Sequence, residues 1–436
     1  MHDFFYDREQ ETLPRAVMQL RQAERAGKMM EVVLGQNSFY QQKFRDAGWR
    51  GIAKVSDWER FPFTTKDELV ADAATHPPYG SNLTYPLDKY VRLHQTSGTS
   101  GKPLIVLDTL ESWDAWKKCW GYIFKAAGLG QGERIYVAFS FGPFIGFWAP
   151  FDAGPGFGHR VLSGGGQTSL QRLNAILEHQ ATVLLCTPSY AFHLAEVARE
   201  NGIEIAASKI RITIHAGEPG ASIPSTKQRI AEAWGARCFD HIGASEIGAF
   251  AFECHLQPGG VHVNELDYVC EVINPQTLQP CHPGEIGELV LSNLNRWGFP
   301  VIRYRTGDLV KLSEPEPCVC GRTFRMLLGG ILSRVDDMMI IRGINVYPSA
   351  IESVLRSFSE VVEFEGQVTT RQEMDDLTLK VELKSNLTAE TRSILSRIRH
   401  ELRNRLALRI EVEASPAGSL PRYELKSKRF KRQAQS

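Results

Sequence analysis

At 436 residues the chain exceeds what one ordinary hydrophobic core supports, so two or three domains are expected. Lys plus Arg and Asp plus Glu balance at 50 each, which excludes a global field that would recruit nucleic acid or an anionic membrane surface. The opening MHDFFYDREQ lacks the basic-then-apolar order of a signal peptide. The longest uncharged stretch, Ile135 to Phe151, is interrupted by Gly142, Pro143, Gly146 and Pro150. A bilayer-crossing helix needs roughly 20 apolar residues, so this stretch reads as a buried strand and a pocket loop. A soluble, cytoplasmic protein is the expectation. Eight cysteines in a chain of this size do not make a secreted disulfide framework.

In chain order, residues 8–34 and 37–48 carry apolar positions at helical spacing. Strands are predicted at Tyr90–Leu93, Leu104–Leu107, Ile135–Phe139, Thr182–Leu185 and Ile210–Ile214. Helices are predicted at Ser112–Ala127, Ser169–Glu178, Tyr190–Asn201 and Ser222–Trp234. This alternation predicts an α/β fold, a mainly parallel sheet covered by helices on both faces, with its site beyond the carboxyl ends of the strands. From about 260 to 330 the texture changes to short strands and Pro-Gly turns, a small β-rich subdomain. Residues 1–335 then make a large N-terminal domain, and 336–436 a small mobile α+β C-terminal domain. That domain is expected to hold a strand at Met338–Arg342, a helix from Ser349, strands near Glu363–Gln367 and Leu377–Leu383, a helix at Thr388–Leu406 and a strand near Arg409–Val412. The basic tail KSKRFKRQAQS, taken alone, reads as a solvated end.

The chemistry is concentrated in short segments. Thr96, Ser97, Gly98, Thr99, Ser100, Gly101 and Lys102 form a loop suited to polyphosphate, with glycines admitting backbone N–H groups, hydroxyls as donors and a lysine charge. It is not a Walker A loop, because two residues rather than four separate the glycines and Pro103 follows the lysine. Phe139 is followed by Phe141, Phe144, Phe147 and Trp148, which with intervening Gly and Pro can line a flat slot for a planar ring. Cys318 and Cys320 from one loop, with Cys254 and His262 from another, suit tetrahedral zinc, with His255 the alternative to His262.

The order and wording of TSGTSGKP, AGEP, GxSE, RYRTGD, CxCGR, DDMxIIRGxNVxPSxIE and LPRxxxKxKR resemble the acyl-adenylate-forming superfamily, closest to its phenylacetate-CoA ligase-like branch. The resemblance implies ATP and Mg²⁺ as cofactors, CoA as co-substrate, and a small aromatic carboxylic acid as substrate. By it, His215 contacts the acyl group and Ala216, Gly217, Glu218 and Pro219 lie against the nucleotide. His241, Ile242, Gly243, Ala244 and Ser245 also contact the nucleotide, and Glu246 ligates Mg²⁺. Ile242 stands where the family has an adenine-stacking aromatic, so His241 or an aliphatic surface takes that place. Asp308 is matched to the ribose, Arg334 to the ribose and phosphate, Asp336 to the hinge and Gly343 to the thiol channel. Lys426 is matched to the catalytic lysine, with Lys428 the alternative. The EC and CxCGR elements occur in related ligases and support structural zinc. Transfer to an amine or carrier-protein thiol is the alternative fate of the acyl-AMP. A catalytically impaired nucleotide-binding module is the third reading, motivated by Ile242, Ser333 and Leu425. Oligomeric state is left open, a homodimer included.

Overall fold

The computed structural model describes residues 4–49, 55–96, 103–146, 148–337, 339–341, 344–371, 374–384, 390–406, 408–423 and 429–432. The predicted first helix is broken because Pro14 has no backbone N–H to continue it. A short α1 (Arg8–Glu11) precedes the long α2 (Arg15–Gln36). Asn37 ends α2 and caps α3 (Ser38–Asp46), its side chain accepting from the Tyr40 N–H. Helix α4 (Lys66–Thr75) begins with a full capping box between Thr65 and Glu68.

Strands β1 (Tyr90–Gln95) and β2 (Ile105–Thr109) form an antiparallel hairpin in which Gln95 faces Ile105. The α/β run follows: α5 (Leu110–Ala126), β3 (Arg134–Val137), α6 (Trp148–Gly156), β4 (Arg160–Ser163), α7 (Ser169–Glu178) and β5 (Val183–Cys186). It continues through α8 (Pro188–Glu200), β6 (Ile212–His215), α9 (Pro224–Trp234), β7 (Arg237–Ala244), β8 (Gly248–Glu253) and β9 (Gly260–Val263). Beyond these lie β10 (Tyr268–Ile273), β11 (Ile286–Asn293), β12 (Tyr304–Lys311), β13 (Met326–Leu328) and β14 (Ser333–Arg334).

The large sheet has the order β13-β9-β8-β7-β6-β5-β3-β4, parallel from β7 to β4 and antiparallel from β7 to β13. Strands β5 and β6 are buried at every position, as expected where helices cover both faces. One apolar core, with Trp113, Trp120 and Phe252, packs on one face, and a second, with Leu173, Tyr190 and Trp234, packs on the other. Strands β10-β11-β12-β14 make a separate antiparallel sheet over the β-rich stretch. Helix α6 departs from the expected loop. Pro150 falls in its first turn, where a missing N–H costs nothing, and Pro155 sits at its last turn.

The C-terminal elements are β15 (Met339–Ile341), β16 (Ile344–Val346), α10 (Pro348–Arg356), β17 (Val361–Arg371), β18 (Met374–Leu383), α11 (Thr391–Leu406), β19 (Glu411–Ser415) and β20 (Phe430–Arg432). They form a six-stranded sheet with its own core around Ile351, Leu379, Ile398 and Val412. The tail is not simply solvated. Arg429 is buried, and β20 adds a parallel strand to β17 through Gly366–Val368. Among the described residues no helix is long and apolar enough to cross a membrane.

Two guanidinium–carboxylate pairs are almost wholly enclosed: Arg296–Asp108, with 1% and 0% side-chain exposure, and Arg322–Glu11, with 0% and 0%. Removing one partner strands a charge away from water. Asp108→Ala is therefore expected to cost about 3–5 kcal/mol in urea unfolding, against about 1 kcal/mol or less for Asp57→Ala at the surface Arg60 pair. Equal losses for the two variants would contradict this reading of the core.

Candidate active site

The β1–β2 hairpin brackets the glycine-rich loop. Thr96 closes the neck: its N–H donates to the Leu104 carbonyl at 2.9 Å, and its hydroxyl accepts from the Leu104 N–H at 3.0 Å. Ser97, Gly98, Thr99, Ser100, Gly101 and Lys102 lie outside the described residues. The hairpin is pinned from below by Arg296. This guanidinium donates through Nε and Nη2 to both Asp108 oxygens (2.6 and 2.8 Å) and through Nη1 to the Ser245 carbonyl (2.9 Å). One side chain thus joins the strand after the loop to the turn carrying Glu246. Asp108 and Arg296 were not singled out in the sequence. Residues 188 apart leave no local signal of their pairing.

At the carboxyl end of β6, His215 is fully enclosed, its Nδ1 3.1 Å from the Cys186 carbonyl and its Nε2 2.9 Å from the Thr213 hydroxyl. Burial pushes its imidazole down to about 3, so it stays neutral. It ties β6 to β5, with both ring nitrogens engaged by the protein. Ala216 is half-buried, and Gly217 has φ +96°, a conformation that favours glycine, so the chain turns sharply there. Glu218 then accepts from the Ser189 N–H at 2.8 Å, at the start of α8, and Pro219 completes the turn.

On β7 the side chains alternate. Phe239 and His241 face the core, where the His241 ring meets Trp120 edge-on at 4.5 Å and burial pushes it down to about 4. His241 is packed in the core, and Ile242 is half-buried and lies against the same apolar cluster. Gly243 is required by close approach, since a Cβ would stand 3.0 Å from the Gly248 carbonyl oxygen. Ala244 and Ser245 lead to Glu246, which is 5% exposed. Its Oε1 has Lys66 Nζ at 3.3 Å and receives the Tyr304 hydroxyl at 3.4 Å. Lys66 opens α4, and its neighbouring capping box is the one sequence signal that could have drawn attention to it.

Asp308 on β12 faces Arg334 on β14. Arg334 Nη1 lies 3.1 Å from Asp308 Oδ1 and its Nε 2.9 Å from Asp336 Oδ1, so all three expected residues meet. Arg303, two residues before Arg305 in the same motif, is locked by Glu271 and the Phe61 carbonyl and lies over Phe63 at 4.0 Å. Lys426, Lys428 and Gly343 lie outside the described residues.

The aromatic segment runs beside the hairpin, since the Gln95 N–H donates to the Pro143 carbonyl at 2.9 Å. Phe141 has φ +48°, an unfavourable conformation for a bulky residue. It packs edge-on against Trp148 (4.9 Å) and Phe151 (5.2 Å), and the Trp148 indole N–H donates to the Gly142 carbonyl at 3.1 Å. Phe144 is half-buried, and Phe147 lies outside the described residues.

Cys254, His262, Cys318 and Cys320 converge, with ligand atoms all within 4.8 Å of one another. The Cys254 and Cys318 sulfurs are 3.7 Å apart, and Cys320 Sγ is 3.4 Å from His262 Nε2. Thiols of Cys254 and Cys318 donating to Cys320 hold its own thiol well below the ordinary value. His262 Nδ1 lies 3.0 Å from the Phe324 carbonyl, which aims Nε2 at the sulfurs. His255 is elsewhere, stacked flat on Phe4 at 3.9 Å.

A family profile described as the AMP-binding enzyme C-terminal domain matches residues 343–433. The phenylacetate-coenzyme A ligase of Thermus thermophilus is 31% identical over 441 residues, spanning 96% of this chain and 97% of that one. The chain belongs to the phenylacetate-CoA ligase family. Like its relatives in that family it is a ligase. The crystal structure of 2-hydroxyisobutyryl-CoA ligase in the postadenylation state, in complex with R3-HIB-AMP, superposes with a TM-score of 0.93 at 28% identity, covering 99% of this chain and 93% of that one. The same ligase with 2-HIB-AMP and CoA in the thioesterification state gives 0.73 at 28% identity, covering 97% and 91%.

Proposed function

We propose that this ligase uses ATP to convert a small aromatic carboxylic acid to its acyl-AMP, releasing pyrophosphate, and then passes the acyl group to CoA. The observation that carries the reading is the Asp108–Arg296–Ser245 bridge, which holds the hairpin of the glycine-rich loop in register with the Glu246 turn. A carboxylate oxygen bonds to the α-phosphorus as the bond to the β-phosphate oxygen breaks in line, so no protein nucleophile is needed. The chain's part is to orient the reactants and neutralise charge. Asp308 accepts from the ribose hydroxyls and Arg334, held by Asp308 and Asp336, faces the phosphate side. Ile242 offers an aliphatic surface to adenine. Lys66 stands beside Glu246 as a second cation for the polyphosphate. Lys426, in a C-terminal domain of residues 336–436 that turns at Asp336, bridges the carboxylate and the α-phosphate. The Phe141–Trp148–Phe151 cluster supports the aromatic acid: flat, apolar faces suit a ring.

Glu246 fits Mg²⁺. Its two partners stand at 3.3 and 3.4 Å, longer than the roughly 2.7–2.9 Å of charge-assisted bonds, leaving a buried hard oxygen available. When bound there, the ion neutralises charge on the phosphates. The four-residue Cys/His cluster fits zinc in a purely structural role. Tetrahedral zinc with bonds of about 2.3 Å to sulfur and 2.0–2.1 Å to nitrogen sets S···S near ~3.8 Å and N···S near ~3.6 Å, against the 3.7 and 3.4 Å present. The Phe324 carbonyl supplies the outer hydrogen bond that metal-bound histidines use.

Lys426→Ala should lower ATP–pyrophosphate exchange by about 10²–10³-fold while CoA still cleaves supplied acyl-AMP; Lys428→Ala should leave exchange intact. Unchanged exchange in the first variant would remove Lys426 from its role. Run over benzoates, phenylacetates and fatty acids, the exchange assay identifies the acid, and AMP release dependent on CoA, an amine or a carrier protein identifies the acceptor. For the cluster, metal analysis of purified protein should return one zinc per chain, lost in Cys318→Ser with Cys320→Ser. Protein without zinc would end that assignment.

A further inference from the structure

We propose that Arg422 and Glu196 form a positioning latch that seats the C-terminal elements on α8 in the arrangement used for acyl-AMP formation, and that this latch opens for transfer to CoA. The inference rests on the adenylation reading given above.

The LPRxxxKxKR phrase supplies two arginines, one on each side of Lys426. Arg422 is forked between two carboxylates. Its Nε and Nη2 donate to Glu196 Oε2 and Oε1 (2.8 and 3.0 Å), and its Nη2 and Nη1 to Glu382 Oε1 and Oε2 (2.7 and 3.0 Å). Nη1 also donates to its own neighbour, the Leu420 carbonyl, at 2.9 Å. Glu382 lies on β18, within the C-terminal sheet. Glu196 lies on α8, on the far side of the junction. Arg429 repeats the pattern: Nε and Nη2 donate to Glu363 of β17 (2.8 and 3.1 Å), while Nη2 also donates to the Ser189 hydroxyl at 3.0 Å. Ser189 and Glu196 are two helical turns apart on α8, so one helix receives the chain both before and after Lys426.

The same helix is tied to the nucleotide side. Glu218, in the turn after β6, accepts from the Ser189 N–H, so that turn and Arg429 grip Ser189 from two directions. Two further bonds cross the junction from α9: the Ser225 hydroxyl to the Ser353 carbonyl (3.2 Å) and Arg229 Nη2 to the Val361 carbonyl (3.0 Å). These are single bonds to backbone. The Arg422–Glu196 contact is the one bidentate ion pair among them, and its two side chains are 21% and 20% exposed. Water reaches it, so it can be broken and remade without stranding a charge. The overall arrangement is the one that superposes at 0.93 on the postadenylation complex and at only 0.73 on the thioesterification complex.

Glu196 is the position to test. Arg422 keeps Glu382 and the Leu420 carbonyl when Glu196 is changed, so the C-terminal fold retains its own contacts. Glu196→Ala should reduce the maximal rate of ATP–pyrophosphate exchange about fivefold, with the KM for ATP within about twofold, while CoA cleavage of supplied acyl-AMP runs at or above the wild-type rate. Glu196→Gln should fall between, since the amide keeps one acceptor and loses the charge. Ser189→Ala should act in the same direction and more weakly. Equal loss in both half-reactions would mean a merely structural role and would overturn the latch, as would exchange at the wild-type rate in Glu196→Ala. A wild-type enzyme that exchanges with no acid would instead fail the adenylation reading itself.

Discussion

The guanidinium of Arg296 is the constraint on which the site depends. It is buried to 1% exposure, where an arginine is tolerated only if its charge is paired and its N–H groups have acceptors. Asp108 takes two of them, the Ser245 carbonyl takes a third, and the Trp116 ring lies 4.4 Å beneath the guanidinium carbon. Each acceptor belongs to a different part of the site. Asp108 belongs to the strand leaving the glycine-rich loop and Ser245 immediately precedes Glu246. Neither can drift without leaving part of a buried cation unsatisfied. That couples loop and carboxylate more tightly than sequence neighbours could, because the penalty for misregister is the desolvation of a charge.

From that anchor the rest of the site follows the ordinary logic of a parallel sheet. Strand ends deliver backbone turns, and the helices that begin there accept acidic partners at their N-termini. Glu218 is the instructive case. It belongs to a turn matched to the nucleotide, yet its carboxylate is spent on the N–H of Ser189 at the head of α8. The turn and the helix are therefore joined directly. Since α8 also receives Arg422 and Arg429, the strand-end turn at the large sheet and the C-terminal sheet both contact this one helix.

What could be read in the sequence was what depends on near neighbours. The apolar runs of β5 and β6 were found within a residue or two, and α7 carries the predicted limits because Thr168 and Gln171 form a capping box on it. Motif order brought Asp308, Arg334 and Asp336 together, and ligand chemistry grouped the four Cys/His residues. Partners distant in the chain were illegible. The Arg296–Asp108 pair spans 188 residues and Lys66 reaches Glu246 from a separate helix, so no period or spacing announces either. The burial of His241 is a different case, because a signal for it existed. It shares its side of β7 with the core residue Phe239, and strict alternation places its ring against Trp120 in the core. Strand β20 was missed since a run of lysines and arginines hides Phe430, whose ring lies against Gly366, where a Cβ would stand only 2.4 Å away.

Exposure sorts the ion pairs into those that fix the fold and those that can take part in a cycle. Arg322–Glu11 holds the N-terminal segment against the Cys/His loop, with the Phe4 carbonyl also accepting from Arg322 and Phe4 itself covering His255. Breaking such an enclosed pair costs about 3–5 kcal/mol, so its open form is rarer than the closed by a factor of hundreds to thousands. The Arg422–Glu196 pair stands a fifth exposed, where about 1 kcal/mol is typical and the open form is rarer by only about fivefold. A contact of the first kind cannot be released at each turnover without a ligand to replace it. One of the second kind can. The gradient from enclosed pairs at Arg296 and Arg322 to a hydrated pair at Arg422 makes the junction between α8 and the C-terminal sheet the place where a contact opens at least cost.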